Sequence, residues 1–236
     1  MKRIGLLVVA ALAVAWIGTV QAATDEQKCL AGRAKAKGKY VQCVEKWLAK
    51  GYGGGGLDAE KFGKCRIKYA GAFTKLQELA GTPCALARWV DNGNGTVTDN
   101  LTGLVWEKKT DDGTVHDWDN TVMWSSYDGD LTDEDGTAFT TFLSGLNSGA
   151  GFAGANGWRL PTLAELGTIL LPESPCTADP CIDSTVFGFT HGNFYKSATT
   201  TAFNPEYVWE VGFSVADVGD ASKPADSYVR AVRGGL

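Results

Sequence analysis

Histidine is almost missing from this 236-residue chain, which holds only His116 and His191. A histidine-rich metal centre is thereby excluded. No Cys-x-x-Cys pair occurs, so neither a dithiol redox motif nor a zinc ribbon can be built. Gly212-Phe213-Ser214-Val215-Ala216 lacks the closing glycine of a nucleophile elbow and sits in a strand-like run, which makes Ser214 structural. Asp and Glu are plentiful, but their spacing fixes no acid/base geometry. No catalytic residue is assigned. Beyond residue 20 no apolar run approaches the roughly 20 residues that a membrane-spanning helix needs.

What is present at the amino end reads as an export signal. Lys2 and Arg3 precede an apolar stretch from Ile4 to Val20, and Val20-Gln21-Ala22 supplies a small-residue cleavage pattern. Cys29 lies past that point in a polar context, with no lipoprotein signature. Residues 1–22 are therefore expected to be removed, leaving a periplasmic or extracellular chain with no membrane span. Six cysteines, all after the cleavage site, then favour disulfides. The total of 22 basic and 27 acidic residues hides two opposite segments. Thr24 to Cys84 carry 12 Lys/Arg and 6 Asp/Glu, a net of +6, whereas Ala85 to Leu236 carry 8 and 21, a net of −13. No nucleic-acid partner is expected for a chain whose larger part is this acidic.

The basic segment, 23–84, reads as a helical hairpin. Cys29, Ala36, Tyr40, Cys43 and Trp47 fall on one helical stripe with lysines facing outward, and the helix should run to about Ala49. Gly51 to Gly56 cannot continue it, since each glycine costs about 1 kcal/mol relative to alanine. Phe62, Cys65, Tyr69, Phe73 and Leu76 then resume the periodicity. Folding back about the glycine loop places Cys43 opposite Cys65 and Cys29 opposite Cys84. A Cys29 to Cys43 bridge would have to cover roughly 21 Å along one helix, against a limit of about 7 Å between bridged Cα atoms. Two such staples suit a segment too small to bury much apolar surface.

The acidic segment, 85–236, has a different grammar. Arg88-Trp89-Val90 and Thr96-Val97-Thr98 flank Asp91-Asn92-Gly93-Asn94-Gly95, a hairpin signal, and Leu104-Val105-Trp106 continues as strand. Phe139, Phe142, Leu143 and Leu146 have helical spacing, and Thr162-Leu163-Ala164-Glu165 is a capping box after Pro161. Tyr207 to Phe213 and Tyr228 to Arg233 are strand-like. Thr110 to Gly136 is a long loop of the kind that is retained when functional or tied down. The fold class is α+β with a mixed sheet and long loops. Because periodicity, charge and cysteine pairing close within each segment, the two are expected to fold separately.

The strings VDNGNGTVTDNLTGLVWEK (Val90 to Lys108), NGWRLPTLAEL (Asn156 to Leu166), PCIDSTVFG (Pro180 to Gly188), SATT (Ser197 to Thr200) and YVRAVRGG (Tyr228 to Gly235) resemble, in order, the bacterial Lcl C-terminal domain family. The resemblance spans about 88–236 and leaves the hairpin outside it. It implies a C-type-lectin-like fold related to the sulfatase-modifying formylglycine-generating enzymes, in which the first and last strands pair. It also implies a local disulfide between Cys176 and Cys181. Those enzymes work through cysteines near the carboxyl end, and this chain departs from them there.

Several residues remain as candidates. Trp118, Trp124 and Tyr127, within the long loop, could form a stacking platform for sugar or peptide, or could roof a small loop core. Asp128, Asp130, Asp133, Glu134 and Asp135 crowd one stretch, where they could hold calcium or stay a solvated acidic loop. No other cofactor is expected. Trp158, Arg159, Arg230 and Arg233 lie inside the strongest motifs, where guanidinium groups hold loops by bidentate bonds or clamp an anion. Export, disulfides, lectin-like kinship and the lack of catalytic groups together point to a non-catalytic binding or adhesion module that contacts a glycan, an envelope polymer or a protein. An enzyme of the formylglycine-generating type and a purely structural envelope protein are the alternatives.

Overall fold

A computed structural model describes residues 23–50, 59–79, 81–85, 87–128, 130–172 and 176–235. The expected export signal at 1–22 and the glycine loop at 51–56 lie outside these residues. Helices α1 (Asp25–Lys50) and α2 (Ala59–Gln77) form the hairpin. Thr24 starts α1 with a reciprocal cap: its amide donates to Gln27 Oε1 at 2.9 Å, and the Gln27 amide donates to Thr24 Oγ1 at 3.2 Å. Both predicted bridges are formed, Cys43 to Cys65 and Cys29 to Cys84, each with Cα atoms 5.8 Å apart. Nested pairing of this kind requires the helices to run antiparallel.

The second segment contains β1 (Trp89–Asp91), β2 (Thr96–Asp99), β3 (Leu104–Glu107), α3 (Ser144–Leu146), α4 (Leu163–Ile169), α5 (Ser184–Phe187), β4 (Phe194–Thr200), β5 (Tyr207–Gly212), β6 (Asp217–Ser222) and β7 (Val232–Gly234). A π-helical stretch, Ala138–Leu143, runs directly into α3. The Thr162/Glu165 capping box forms at the start of α4 as the sequence implied. Cys176 and Cys181 are also bonded.

The strands make two sheets, ordered β1-β2-β3-β7 and β4-β5-β6. Every ladder is antiparallel, so the expected mixed sheet is not found among the described residues. Parallel pairing survives only as isolated bridges such as Lys109 to Gly188. Within β1 to β3 and within β4 to β6 the turns are too short for the crossover that parallel neighbours need, while β7 joins β3 antiparallel over a long connection. The carboxyl end does return to the start of the domain, but through β3 and β7, with Val105 opposite Arg233. Of the strand expected from Tyr228 to Arg233, only its end is regular.

The hairpin does not close on itself. Tyr40, Trp47, Phe62 and Tyr69 belong to one hydrophobic cluster with Leu163, Leu166, Ile169, Trp209 and Phe213 of the second segment. Trp47 lies 6.3 Å from Trp209, ring centre to ring centre. Gly167 of α4 makes this possible, because a Cβ there would meet the Tyr40 hydroxyl and lie 2.6 Å from the Phe62 ring. Two buried arginines complete the seam: Arg33 Nε donates to Leu101 O at 3.2 Å, and Arg66 Nη1 to Leu171 O at 2.7 Å. The separate cores expected from sequence thus join in one cluster, because the hairpin's aromatic stripe packs against α4 and β5 as well as between its own helices. A second, smaller cluster, including Val122, Trp124, Phe142, Leu146, Trp158 and Val229, lies beneath the long loop.

Candidate functional site

The long loop is tied down at its root by ionised groups. Glu107, the last residue of β3, is fully buried. Its Oε1 lies 3.0 Å from His116 Nδ1 and 3.1 Å from Lys109 Nζ, and its Oε2 accepts the Ala231 amide at 2.9 Å. Burial opposes ionisation of this carboxyl, but Lys109, His116, the Ala231 amide and Arg230 outweigh it and hold its pKa below the ordinary carboxylate value. Burial pushes the Lys109 ammonium down, with Glu107 opposing. Arg230 is fully buried: Nη1 donates to Glu107 O at 2.7 Å, and Nη2 to Thr190 Oγ1 at 2.7 Å and Phe189 O at 3.3 Å. One guanidinium therefore clamps the chain around 187–190 to the root of the long loop.

The loop itself is built from short polar side chains that bond to nearby backbone. Asp117 Oδ2 accepts the amides of Asp112, at 2.8 Å, and of Gly113, while Oδ1 accepts that of Asp119. These donors, Gly113 first, pull its pKa to about 2. Asp112 accepts from the Thr114 amide, and Asn120 Nδ2 donates to Thr114 O. The Thr110 amide donates to His116 O and the Trp118 amide to Thr110 O, closing the turn. Farther along, Val122 pairs with Ser227 and the Trp124 amide donates to Lys223 O.

The loop, folded this way, walls a cleft of about 410 Å³. Thr114, Asn120 and Thr121 from the loop face Thr137, Thr141 and Phe142 at and beyond its end, and Lys109 and Val229 contribute from the root and from the last strand region. Hydroxyl and amide groups share this lining with the apolar Val115, Val122, Phe142 and Val229, and the buried Lys109 is among the lining residues. A second crevice, about 330 Å³, lies on the hairpin seam between α1 and α4, and its lining is chiefly apolar: Val41, Val44, Leu48, Leu104 and Leu163.

The three aromatic candidates part company. Trp124 is 3% exposed, meets Phe139 edge to face at 4.9 Å, and carries the Lys223 ammonium 3.9 Å from its ring centre. It is a core residue and not part of any platform. Tyr127 is 70% exposed. Trp118 is half-buried and stacks on His191 at 4.1 Å, with the exposed Phe189 ring 5.9 Å away. The aromatic ledge that exists is therefore Trp118, Phe189 and His191. Phe189 and His191 escaped sequence reasoning, because the Lys109 to Gly188 bridge and the Arg230 clamp that bring their loop here are long-range.

The acidic stretch does not converge. Asp130 accepts from the Thr132 amide and hydroxyl, and Asp135 from the Ser126 amide and hydroxyl. Among the described residues no group of three or more His, Cys, Asp or Glu is placed to hold a metal ion. Lys223 faces the stretch instead: Nζ donates to Thr132 O at 3.2 Å, and Asp130, Asp133 and Glu134 act on its charge. Asp128 is exposed. Of the motif residues, Trp158 is buried and donates from Nε1 to Ala155 O at 2.9 Å. Arg159 pairs with Glu165 through two bonds of 2.8 and 2.7 Å, and the Arg233 guanidinium lies 5.5 Å from the Trp158 ring centre. Arg159 thereby ties the segment after Trp158 to the first turn of α4.

Residues 95–233 match the Lcl C-terminal domain family. No curated protein and no solved structure matches the chain.

Proposed function

We propose that this chain, which belongs to the Lcl C-terminal domain family, is an exported, non-catalytic binding module that holds a glycan, an envelope polymer or a protein in the cleft under its long loop. The observation that carries this reading is the cleft itself. A mostly apolar concave site with a few polar groups is the usual form of a ligand pocket, and a cleft lined by Val115, Val122, Phe142 and Val229 together with Thr114, Asn120, Thr121, Thr137 and Thr141 has that composition. The π-helical stretch that supplies Thr141 and Phe142 is a rare conformation, frequent at functional sites. Three disulfides support an oxidising compartment, and no helix among the described residues is long and apolar enough to cross a membrane. A formylglycine-type mechanism needs a cysteine thiol, and all six cysteines here are bonded to one another.

The test is a glycan and peptide array probed with the mature chain and with Thr141→Trp. Thr141 is exposed on the cleft wall, so an indole there fills the cleft without entering the core. A ligand that wild type retains and the variant loses by at least about tenfold, about 1.4 kcal/mol, supports the reading. A ligand held equally by both contradicts it.

A further inference from the structure

The hairpin sorts its basic residues by side. Arg33 and Arg66 are buried and bond to the second segment, whereas Lys39, Lys46 and Lys50 of α1 and Lys61, Lys64 and Lys68 of α2 are exposed. These six lysines line two consecutive grooves between the helices, of about 280 and 240 Å³. Cys43 and Cys65 line both grooves, so the disulfide joins them into one trough and holds its two banks in register. Counting outward from the bridge in antiparallel helices, Lys39 falls beside Lys68, and Lys46 beside Lys61 and Lys64. The α1 bank alone spans about 16 Å from Lys39 to Lys50 at the helical rise.

Cations facing one another across a groove repel, and an anion lying between them relieves that repulsion. Among the described residues of these helices, Glu60 pairs with Lys64 at 2.7 Å in an exposed contact of small worth, and Glu45 lines the crevice on the α4 side. We propose that this trough binds a linear, base-free polyanion, a chain of phosphate, sulfate or carboxylate groups laid along the hairpin between the two lysine banks. The groove is recessed and its rings, Tyr40, Trp47 and Tyr69, are buried in the floor. Among the described residues no ring of the groove is therefore offered for stacking on bases or for entering a bilayer, which favours a bare polyanion over a nucleic acid or a lipid surface. The second segment, net −13, repels the same polymer and confines it to the hairpin. This site is independent of the cleft under the long loop.

Long-chain inorganic polyphosphate is the probe, titrated into the mature, disulfide-intact chain by fluorescence anisotropy. Binding should weaken roughly 100-fold between 50 and 200 mM salt if about five lysines engage, at about 0.7 counterion per contact. Lys39→Gln/Lys46→Gln/Lys68→Gln should lose at least about tenfold in affinity and flatten the salt slope with an unchanged melting temperature. Lys28→Gln/Lys35→Gln/Lys75→Gln removes the same charge from exposed positions that line neither groove, and should stay near wild type. Equal losses in the two variants would reduce the effect to net charge and overturn the proposal. So would no binding at 50 mM salt, or tighter binding to a single-stranded oligonucleotide or to anionic lipid vesicles than to polyphosphate.

Discussion

Trp118 and Trp124 stand six positions apart in one loop and have different fates, and nothing in their residue type separates them. What separates them is what folds over each: Phe139 and Lys223 close over Trp124, while Trp118 shares a ledge with His191 and Phe189. Trp124→Ala should therefore cost about 3 to 5 kcal/mol in stability, and Trp118→Ala much less, as measured by denaturant unfolding of both. Similar losses would remove the distinction. The carboxylates at the root of the loop make a second prediction. Glu107 and Asp117 have folded pKa values below their unfolded ones, Asp117 at about 2. Their stabilisation is complete above the ordinary carboxylate range and is lost as pH falls through the folded values. The melting temperature should hold from neutrality to about pH 5 and drop between about pH 4 and 2. Glu107→Gln leaves Lys109 buried without its counter-charge and should cost about 3 to 5 kcal/mol at neutral pH, while making the acid limb shallower. An acid limb of undiminished depth in that variant would place the pH response elsewhere.

The helices were legible because their signals are local. Stripe periodicity marks α1 and α2, the capping box marks α4, and fold-back geometry alone implies the two hairpin bridges. β4 and β6 were not legible: Phe194–Thr200 is rich in Ser and Thr, and Asp217–Ser222 sets two aspartates among Val, Gly, Ala and Ser. They are extended because they flank β5, whose Val208, Trp209 and Val211 are buried, and a strand defined by its neighbour leaves little trace in its own composition. Loop length ranks the staples. In the chain-entropy account, losing Cys29 to Cys84, 55 residues apart, should cost about 4 kcal/mol, Cys43 to Cys65 about 3 to 3.5, and Cys176 to Cys181 about 2. Paired Cys→Ala variants compared by chemical denaturation check that order. Gly167 gives a sharper test of how α4 meets the hairpin. Alanine is favoured over glycine by about 1 kcal/mol inside a helix, yet Gly167→Ala should destabilise, because Tyr40 and Phe62 occupy the space. A stabilised variant would show that the seam is looser than described.

The whole molecule joins a basic hairpin to an acidic domain through a shared core, and sequence alone suggested two independent units. Periodicity reports which face of a helix is apolar and not what covers it, so the partner of the Tyr40, Trp47 and Phe62 stripe could not be read. A chain beginning at Leu86 should consequently expose the α4 and Trp209 surface and lose its cooperative thermal transition, although its Cys176 to Cys181 bridge can still form. The candidate site was half legible: the length of the loop from Thr110 to Gly136 pointed to it, but the groups that tie down the root of that loop carry no mark in the sequence. Glu107, His116 and Arg230 are 9 to 123 positions apart in bonded pairs, which no local pattern reveals. The most direct measurement of the binding claim is amide hydrogen exchange on residues 23–236, with and without the tightest array ligand. Slowed exchange at 110–122 and 137–142, with the crevice between α1 and α4 unchanged, is the predicted result; protection confined to that crevice or to β6, with the long loop unaffected, would contradict it.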